Sequence, residues 1–341
     1  VAIGGGTRGR CGCSPRPQRR TAGGTSPAGR SVTHAVQSLR NTPDGSVAPT
    51  VGFGPLQCHM DAEDVHEIMV VAGGRVFVEG PRGIRAVEPV TAEQVSLVIE
   101  RITRFSGRRV DVMSPVVDVH LPDGSRACVV IPPVSVDGPC ISIRKFSPAV
   151  LPLAAFTDDE GARQLRTFVA ERRNIVVCGA TSSGKTSLLG SLVRRVPARE
   201  RLVVIEDTTE LPIEHPHVVR LQTRPANVEG NGEVTAQHLV RTSMRLRPDR
   251  LVVGEVRGGE VVDMLLALTS GHDGCMTTVH ARSVDDAVQR LVTLALRDNV
   301  QFPHGVLVDL VHRAVDVVVH VERTAGGARR IVDMRQLTGN G

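Results

Sequence analysis

Eight residues, Gly179-Ala180-Thr181-Ser182-Ser183-Gly184-Lys185-Thr186, fit the pattern G-x-x-x-x-G-K-[ST]. The apolar run Ile175-Val176-Val177-Cys178 precedes them and the helix-like Ser187-Leu188-Leu189-Gly190-Ser191-Leu192-Val193 follows, so strand, glycine loop and helix come in the required order. In that setting consecutive backbone N–H groups and a helix N-terminus wrap a polyphosphate, Lys185 reaches the β- and γ-phosphates, and the Thr186 hydroxyl ligates Mg²⁺. The expected nucleotide cradle is therefore Gly179 through Ser187. Of 41 basic residues only Lys145 and Lys185 are lysine, and a planar guanidinium cannot replace a compact ammonium inside a tight phosphate loop. Many such loops have glycine where Ser182 stands; a positive φ there costs on the order of 1 kcal/mol.

Hydrolysis needs one carboxylate to hold Mg²⁺, usually through water, and another to orient or deprotonate the attacking water. In open parallel sheets ligands gather at the carboxyl ends of strands. Two apolar runs end in acid: Leu202-Val203-Val204-Ile205 leads into Glu206-Asp207-Thr208-Thr209-Glu210, and Leu251-Val252-Val253-Gly254 leads into Glu255. Glu210 is the preferred base with Glu255 ordering Mg²⁺, the exchanged assignment stays open, and Glu206 is a further candidate metal ligand beside Thr186. His280 ends a predicted strand in Thr277-Thr278-Val279-His280, where its ring could sense a γ-phosphate by hydrogen bonding. No residue group has zinc-ligand spacing.

The bulk numbers set limits. At 341 residues the chain exceeds what a single core usually reaches, roughly 250–300 residues, and two domains are expected. The net charge of +5 is concentrated at one end. Residues 1–40 hold seven arginines and no acid, which leaves 34 basic against 36 acidic residues in the remainder, near −2. With no Trp, no Tyr and seven Phe a base-stacking platform is hard to build, so nucleic acid is not an expected partner. No window approaches the roughly 18 apolar residues of a membrane span, and the N-terminal Gly- and Arg-rich stretch has no signal-peptide core; a cytoplasmic protein is expected. Seven cysteines without a CxxC pair read as reduced thiols.

Taken in order, residues 1–50 read as a disordered basic tail. Residues 55–145 read as a small α+β, PAS-like domain. It has a short helix at 61–66, strands at 68–71 and 76–79, a helix after the capping box Thr91-Ala92-Glu93-Gln94, a hairpin over 116–121 and 127–131, and a strand at 140–143. Residues 146–156, with two prolines, read as a linker. Residues 157–335 alternate helix and strand. They open with a capping box at Thr157-Asp158-Asp159-Glu160, with strands near 202–205, 218–221, 251–253, 275–279 and 315–321 and helices near 235–246, 259–269, 283–297 and 304–313. After a phosphate loop this alternation means α/β, a parallel RecA-like P-loop NTPase sheet.

Together the phosphate loop, Glu206-Asp207-Thr208-Thr209-Glu210-Leu211, the segment Arg247 to Glu260 and Gly271-His272-Asp273-Gly274 through His280-Ala281 resemble the type II/IV secretion and pilus-assembly ATPases. Within them the chain looks most like the CpaF/TadA branch of Flp (tight adherence) pilus systems. The first domain joins in with Gly107 to Asp111, Leu121-Pro122-Asp123-Gly124-Ser125-Arg126, Ile131-Pro132-Pro133 and Ile143-Arg144-Lys145-Phe146. The resemblance covers about 60–322. It implies Mg-ATP hydrolysis, a homo-oligomer that is a hexameric ring, and peripheral association with pilus or secretion platform proteins of the inner membrane. It also implies arginines that close on the γ-phosphate, for which Arg126, Arg144, Arg220 and Arg224 are the candidates. A conjugation-type secretion ATPase and a nucleotide-gated scaffold without useful turnover remain alternatives. The four-cysteine metal element usual in type II secretion members is missing.

Overall fold

A computed structural model describes residues 52–106, 108–146, 150–226, 230–297, 302–324 and 326–337. The expected tail, Cys11 and Cys13, and part of the expected linker lie outside these. Among the described residues, no helix is long and apolar enough to cross a membrane.

The first half is built from α1 (Gln57–Asp61), β1 (Glu67–Val71), β2 (Arg75–Gly80), β3 (Gly83–Val87), α2 (Ala92–Ser106), β4 (Val116–His120), β5 (Arg126–Val130) and β6 (Cys140–Arg144). The strands form an antiparallel sheet in the order β3-β2-β1-β6-β5-β4. Period-2 alternation sorts their side chains. Ile68, Val70, Val117, Val119, Val129, Ile141 and Ile143 pack inward with Val95, Val98 and Ile102 of α2, while Glu67, Arg126, Ser142 and Arg144 fall on the opposite face. The capping box at α2 closes in both directions: Gln94 N–H donates to Thr91 Oγ1 at 3.3 Å and Thr91 N–H to Gln94 Oε1 at 2.8 Å.

Two sequence expectations shift here. The helix expected at 61–66 lies instead at Gln57–Asp61. Pro55 opens a preceding 3₁₀ turn, and Gln57 Oε1 accepts from Phe53 N–H at 3.0 Å, so helical geometry starts earlier and is over before Glu63. Strand β3 escapes a pattern search because it is an exposed edge with no inward side chain in its first four residues.

The second half holds α3 (Asp159–Ala170), β7 (Ile175–Gly179), α4 (Lys185–Val193), β8 (Leu202–Glu206), β9 (Val218–Gln222), α5 (Ala236–Ser243) and β10 (Arg250–Val253). It continues with α6 (Glu260–Thr269), β11 (Met276–His280), α7 (Val284–Arg297), α8 (His304–Ala314), β12 (Val317–Arg323) and β13 (Arg329–Gln336). The sheet order is β13-β12-β7-β11-β10-β8-β9, parallel throughout except for the antiparallel edge pair β12–β13. The central strands are buried at nearly every position because both faces are covered, and β7 and β8 are written almost wholly in apolar residues. Ile175 and Val177 point to a core shared with Leu165 of α3 and Leu188 and Leu192 of α4. Val176 and Cys178 point to another shared with Leu265 of α6, Leu291 of α7 and Leu307 of α8. The cap of α3 is Asp158, which accepts from Gly161 N–H at 2.9 Å, one residue later than the expected Thr157.

The starts of three adjacent strands are pinned by one buried side chain. Asn174 Oδ1 accepts from Gly274 N–H (2.8 Å) and Cys275 N–H (3.0 Å), and Asn174 Nδ2 donates to Ala314 O at 2.8 Å. Asn174→Ala would leave two buried N–H donors and a carbonyl unpaired, so a loss of about 3 kcal/mol of unfolding free energy is expected in urea titrations, with the m-value unchanged. A loss under about 0.5 kcal/mol would show that the strand starts do not depend on this amide.

Candidate functional site: a phosphate loop and its row of charges

The loop between β7 and α4 has the backbone its sequence demands. A Cβ at Gly179 would meet Val321 O at 2.3 Å and Ser183 Oγ at 2.5 Å. Gly184 caps α4 at φ +104°, a conformation that favours glycine. Ser182 takes φ +60°, the strained geometry raised by its identity. Ser183 N–H donates to Ala180 O at 3.3 Å, closing the turn. Its buried Oγ has no partner, an orphan of the kind a ligand oxygen would satisfy. Thr181 is exposed, and Thr186 and Ser187 follow in the first turn of α4.

Lys185 is 6% exposed. Its Nζ donates to Ala180 O at 2.8 Å and lies 3.2 Å from His280 Nδ1. The ammonium makes Nδ1 the acceptor, so the imidazole proton sits on Nε2, which faces Glu255 Oε1 at 3.2 Å. Burial, then the Lys185 charge, push the His280 pKa down, consistent with a neutral ring. Glu255 is gripped by both ends of the Arg257 fork, Nε to Oε1 and Nη2 to Oε2, each at 2.9 Å. Burial works against its ionisation, but Arg257, His280 and Lys185 outweigh it and hold the carboxyl below its usual range. Arg257 Nη1 reaches on to Asp207 Oδ2 at 3.5 Å. Burial lowers the Lys185 pKa while Glu255 opposes the shift.

Strand order explains this row. β11 lies between β7 and β10, with Gly179 opposite His280 in register. Lys185, His280 and Glu255 therefore leave three neighbouring strands at the same edge. The next strand, β8, delivers Glu206 and, through its loop, Glu210. Glu206 is tied into the loop that follows it. Its Oε1 accepts from Glu210 N–H (2.9 Å) and Leu211 N–H (2.8 Å), and burial pushes its pKa up to about 7. It braces the loop that carries Glu210.

Glu210 is paired across to the first sheet, with Arg126 Nη1 at 3.1 Å from its Oε1. Arg126 and Arg144 are cross-strand partners on β5 and β6, and the Arg144 charge is among those that lower the Lys185 pKa, so both arginines face the row. His120, opposite Arg126 on β4, places Nε2 3.4 Å from Thr208 Oγ1. A cavity of about 170 Å³ opens on this sheet face between Glu67, Asp118, His120, Arg126, Cys128 and Arg144. The Arg220 guanidinium donates to Leu211 O (3.0 Å) and Ile213 O (2.7 Å), bracing the chain beyond Glu210. Arg224 Nε donates to Gly232 O at 2.7 Å. Sequence reasoning nominated neither Arg257, although its Glu-x-Arg spacing was in view, nor Arg329, which lies over Gly184.

The residues present fit a nucleoside triphosphate with Mg²⁺. The cradle would be filled by a Cβ at either glycine, holds an unpartnered hydroxyl, and carries a buried ammonium with only a carbonyl and a ring nitrogen beside it.

The family described as Type II/IV secretion system protein (T2SSE) matches residues 51–332. A Mycobacterium tuberculosis protein named for conjugal transfer is 38% identical over 299 residues, 84% of each chain. Type IV secretion system protein PtlH of Bordetella pertussis is 34% identical over 327 residues, 86% of this chain and 96% of that one. The crystal structure of the Legionella pneumophila ATPase DotB superposes with a TM-score of 0.59 over 83% of this chain and 79% of that one; at 19% identity the likeness concerns the fold.

Glu206 generates a pH prediction. Its folded pKa of about 7 stands above the ordinary 4.5, so the protonated acid favours folding. Stability fully present below about pH 4.5 is lost as pH rises through about 7. Glu206→Gln keeps an Oε1 acceptor and removes the titration. The fall in Tm of the parent protein between about pH 5 and about pH 8 should flatten in the variant; parallel slopes in thermal melts would rule the assignment out.

Proposed function

The chain belongs to the type II/IV secretion system protein family, and from that premise we propose that it is a Mg-ATP hydrolysing motor. The observation that carries this reading is the continuous contact from Lys185 through His280 to Glu255, which joins the phosphate loop to a carboxylate held ionised. The phosphates take the loop N–H groups and the Lys185 ammonium. The Thr186 hydroxyl and, through water, Glu255 would hold Mg²⁺, which supplies neutralisation of phosphate charge when bound. A phosphate oxygen that draws Nζ away from His280 Nδ1 leaves that ring nitrogen free, so His280 reports γ-phosphate occupancy to Glu255. Glu210 orients or deprotonates the attacking water once Arg126 has left it, and Arg126 and Arg144 turn to the γ-phosphate charge. Because both arginines stand on the first sheet, their exchange of partners moves that sheet relative to the loop.

At a finer level we infer a homo-oligomeric, hexameric ring that acts peripherally at the inner face of the cell membrane on pilus or secretion platform proteins. Resemblance of the first-half boxes around Arg126 and Arg144 supports a CpaF/TadA-type Flp pilus role. The conjugal-transfer and type IV secretion names of the relatives favour a second reading, a conjugation-type secretion ATPase.

Purified protein is expected to turn over ATP steadily with Mg²⁺. Lys185→Ala and Glu255→Gln should each lower kcat by about a hundredfold or more, the scale of removing one group that acts on developing charge. Glu255→Gln should still bind ATP. Parent-level turnover in both variants would overturn the site, and binding without turnover in the parent protein would leave a scaffold in place of a motor.

A further inference from the structure

Arg329 occupies a position that the row of charges does not explain. It begins β13, and its side chain runs across the last glycine of the phosphate loop: a Cβ on Gly184 would meet Arg329 Cδ at 2.5 Å and Nε at 3.1 Å. Gly184 caps α4 without any side-chain cap, so the N–H groups of the first helical turn are open beneath the guanidinium. Arg329 is half-buried, and among the described residues its guanidinium has neither a hydrogen bond nor an ion pair. Its partner in register is another cation, Arg323; like charges opposite each other on a ladder repel. Arg323 is satisfied elsewhere, with Nη1 2.8 Å from Glu79 Oε1 and Nη2 3.4 Å from Gly80 O. Burial, then Arg323, push the Arg329 pKa down, the direction of a cation that lacks an anion.

An anion at the N-terminus of α4 would lie within reach of this guanidinium and supply the counterion. We propose that Arg329 is a nucleotide-anchoring residue whose guanidinium binds the diphosphate portion common to ATP and ADP on the outer side of the phosphate loop. This deepens the nucleotide reading above and rests on it. A fork of N–H donors suits phosphate oxygens, and at this place it adds a second cation to the loop that holds the buried Lys185. The arrangement also ties the nucleotide to the first sheet. The β12–β13 turn abuts the β2–β3 turn, where a Cβ on Gly327 would meet Pro81 O at 2.8 Å, and Arg323 holds Glu79 one residue pair away.

The test is calorimetric titration of the full chain with MgADP and with the non-hydrolysable analogue MgAMPPNP. Arg329→Ala is expected to weaken both by a similar factor, about tenfold, with Arg329→Lys recovering part of the loss. Removing an unpaired cation should leave the Tm of the nucleotide-free protein unchanged or raised; a purely structural arginine would lower it. If Arg329→Ala does not fold, Arg329→Gln serves in the same titration. Unchanged affinity for both nucleotides overturns the inference alone, and weakening confined to MgAMPPNP overturns the diphosphate assignment. Failure of the parent protein to bind either nucleotide, with Lys185→Ala no different from it, brings down the nucleotide reading and this inference together.

Discussion

A buried ammonium governs the geometry of this protein's second half. Lys185 is held at the start of α4, after the loop that leaves the central strand β7, with one carbonyl and one imidazole nitrogen as its near partners, which leaves its charge undercompensated inside a protein. Such a group is costly unless charge lies nearby, and the negative charge available is Glu255, one residue removed through His280. The tautomer of His280 follows from accommodating that cation, while Glu255 is held ionised chiefly by the Arg257 fork and to a lesser degree by His280 and Lys185.

The sheet makes the accommodation possible. A parallel α/β sheet brings the carboxyl ends of its strands to one edge, and the order β7-β11-β10-β8 turns four separated stretches of sequence into four consecutive stations along that edge. Thr278 Oγ1 donates to Gly254 O at 2.7 Å, and Val256 N–H to Thr278 O at 3.0 Å, so the turn carrying Glu255 is stitched to the strand carrying His280. The acids are thereby set against the phosphate loop by strand register, a rigid element, while Glu210 sits on a loop that Glu206 and Arg220 brace from either side. That difference matches the proposed division of labour, with a fixed carboxylate near the metal and a releasable one near the water.

Legibility in the sequence followed burial. The strands β7, β8, β10, β11 and β12 were legible because both of their faces are covered and each holds a short run rich in apolar or β-branched residues. The phosphate loop read correctly because its backbone admits few residue types at Gly179 and Gly184. What escaped is polar and peripheral. The strand β13, with the sequence RRIVDMRQ, turns only Ile331 and Met334 onto the core, and those partly, and β3 is exposed almost throughout. Arg329 could not be nominated because nothing in its neighbours announces that a hairpin will fold back over the loop. The brace made by Glu206 was not legible either, because an acid at a strand end does not announce that it will accept from the backbone N–H groups of Glu210 and Leu211.

The placement of opposed charges says which contacts can change. Arg250 is fully buried, with Nε 2.5 Å from Glu200 and Nη2 2.8 Å from Val169 O, and removing either partner would strand a desolvated charge; that pair belongs to the fixed frame. Arg126–Glu210 is different, since each side chain is about a third exposed (34% and 31%) and water can take either end when they separate. A pair of this kind contributes little to stability, roughly 0–1 kcal/mol, so a competing phosphate or water can break it at small cost. The Arg323–Glu79 pair joins the same two sheets at another point, with side chains exposed by 28% and 22%, so at both places the sheets are joined by ion pairs that solvent can reach.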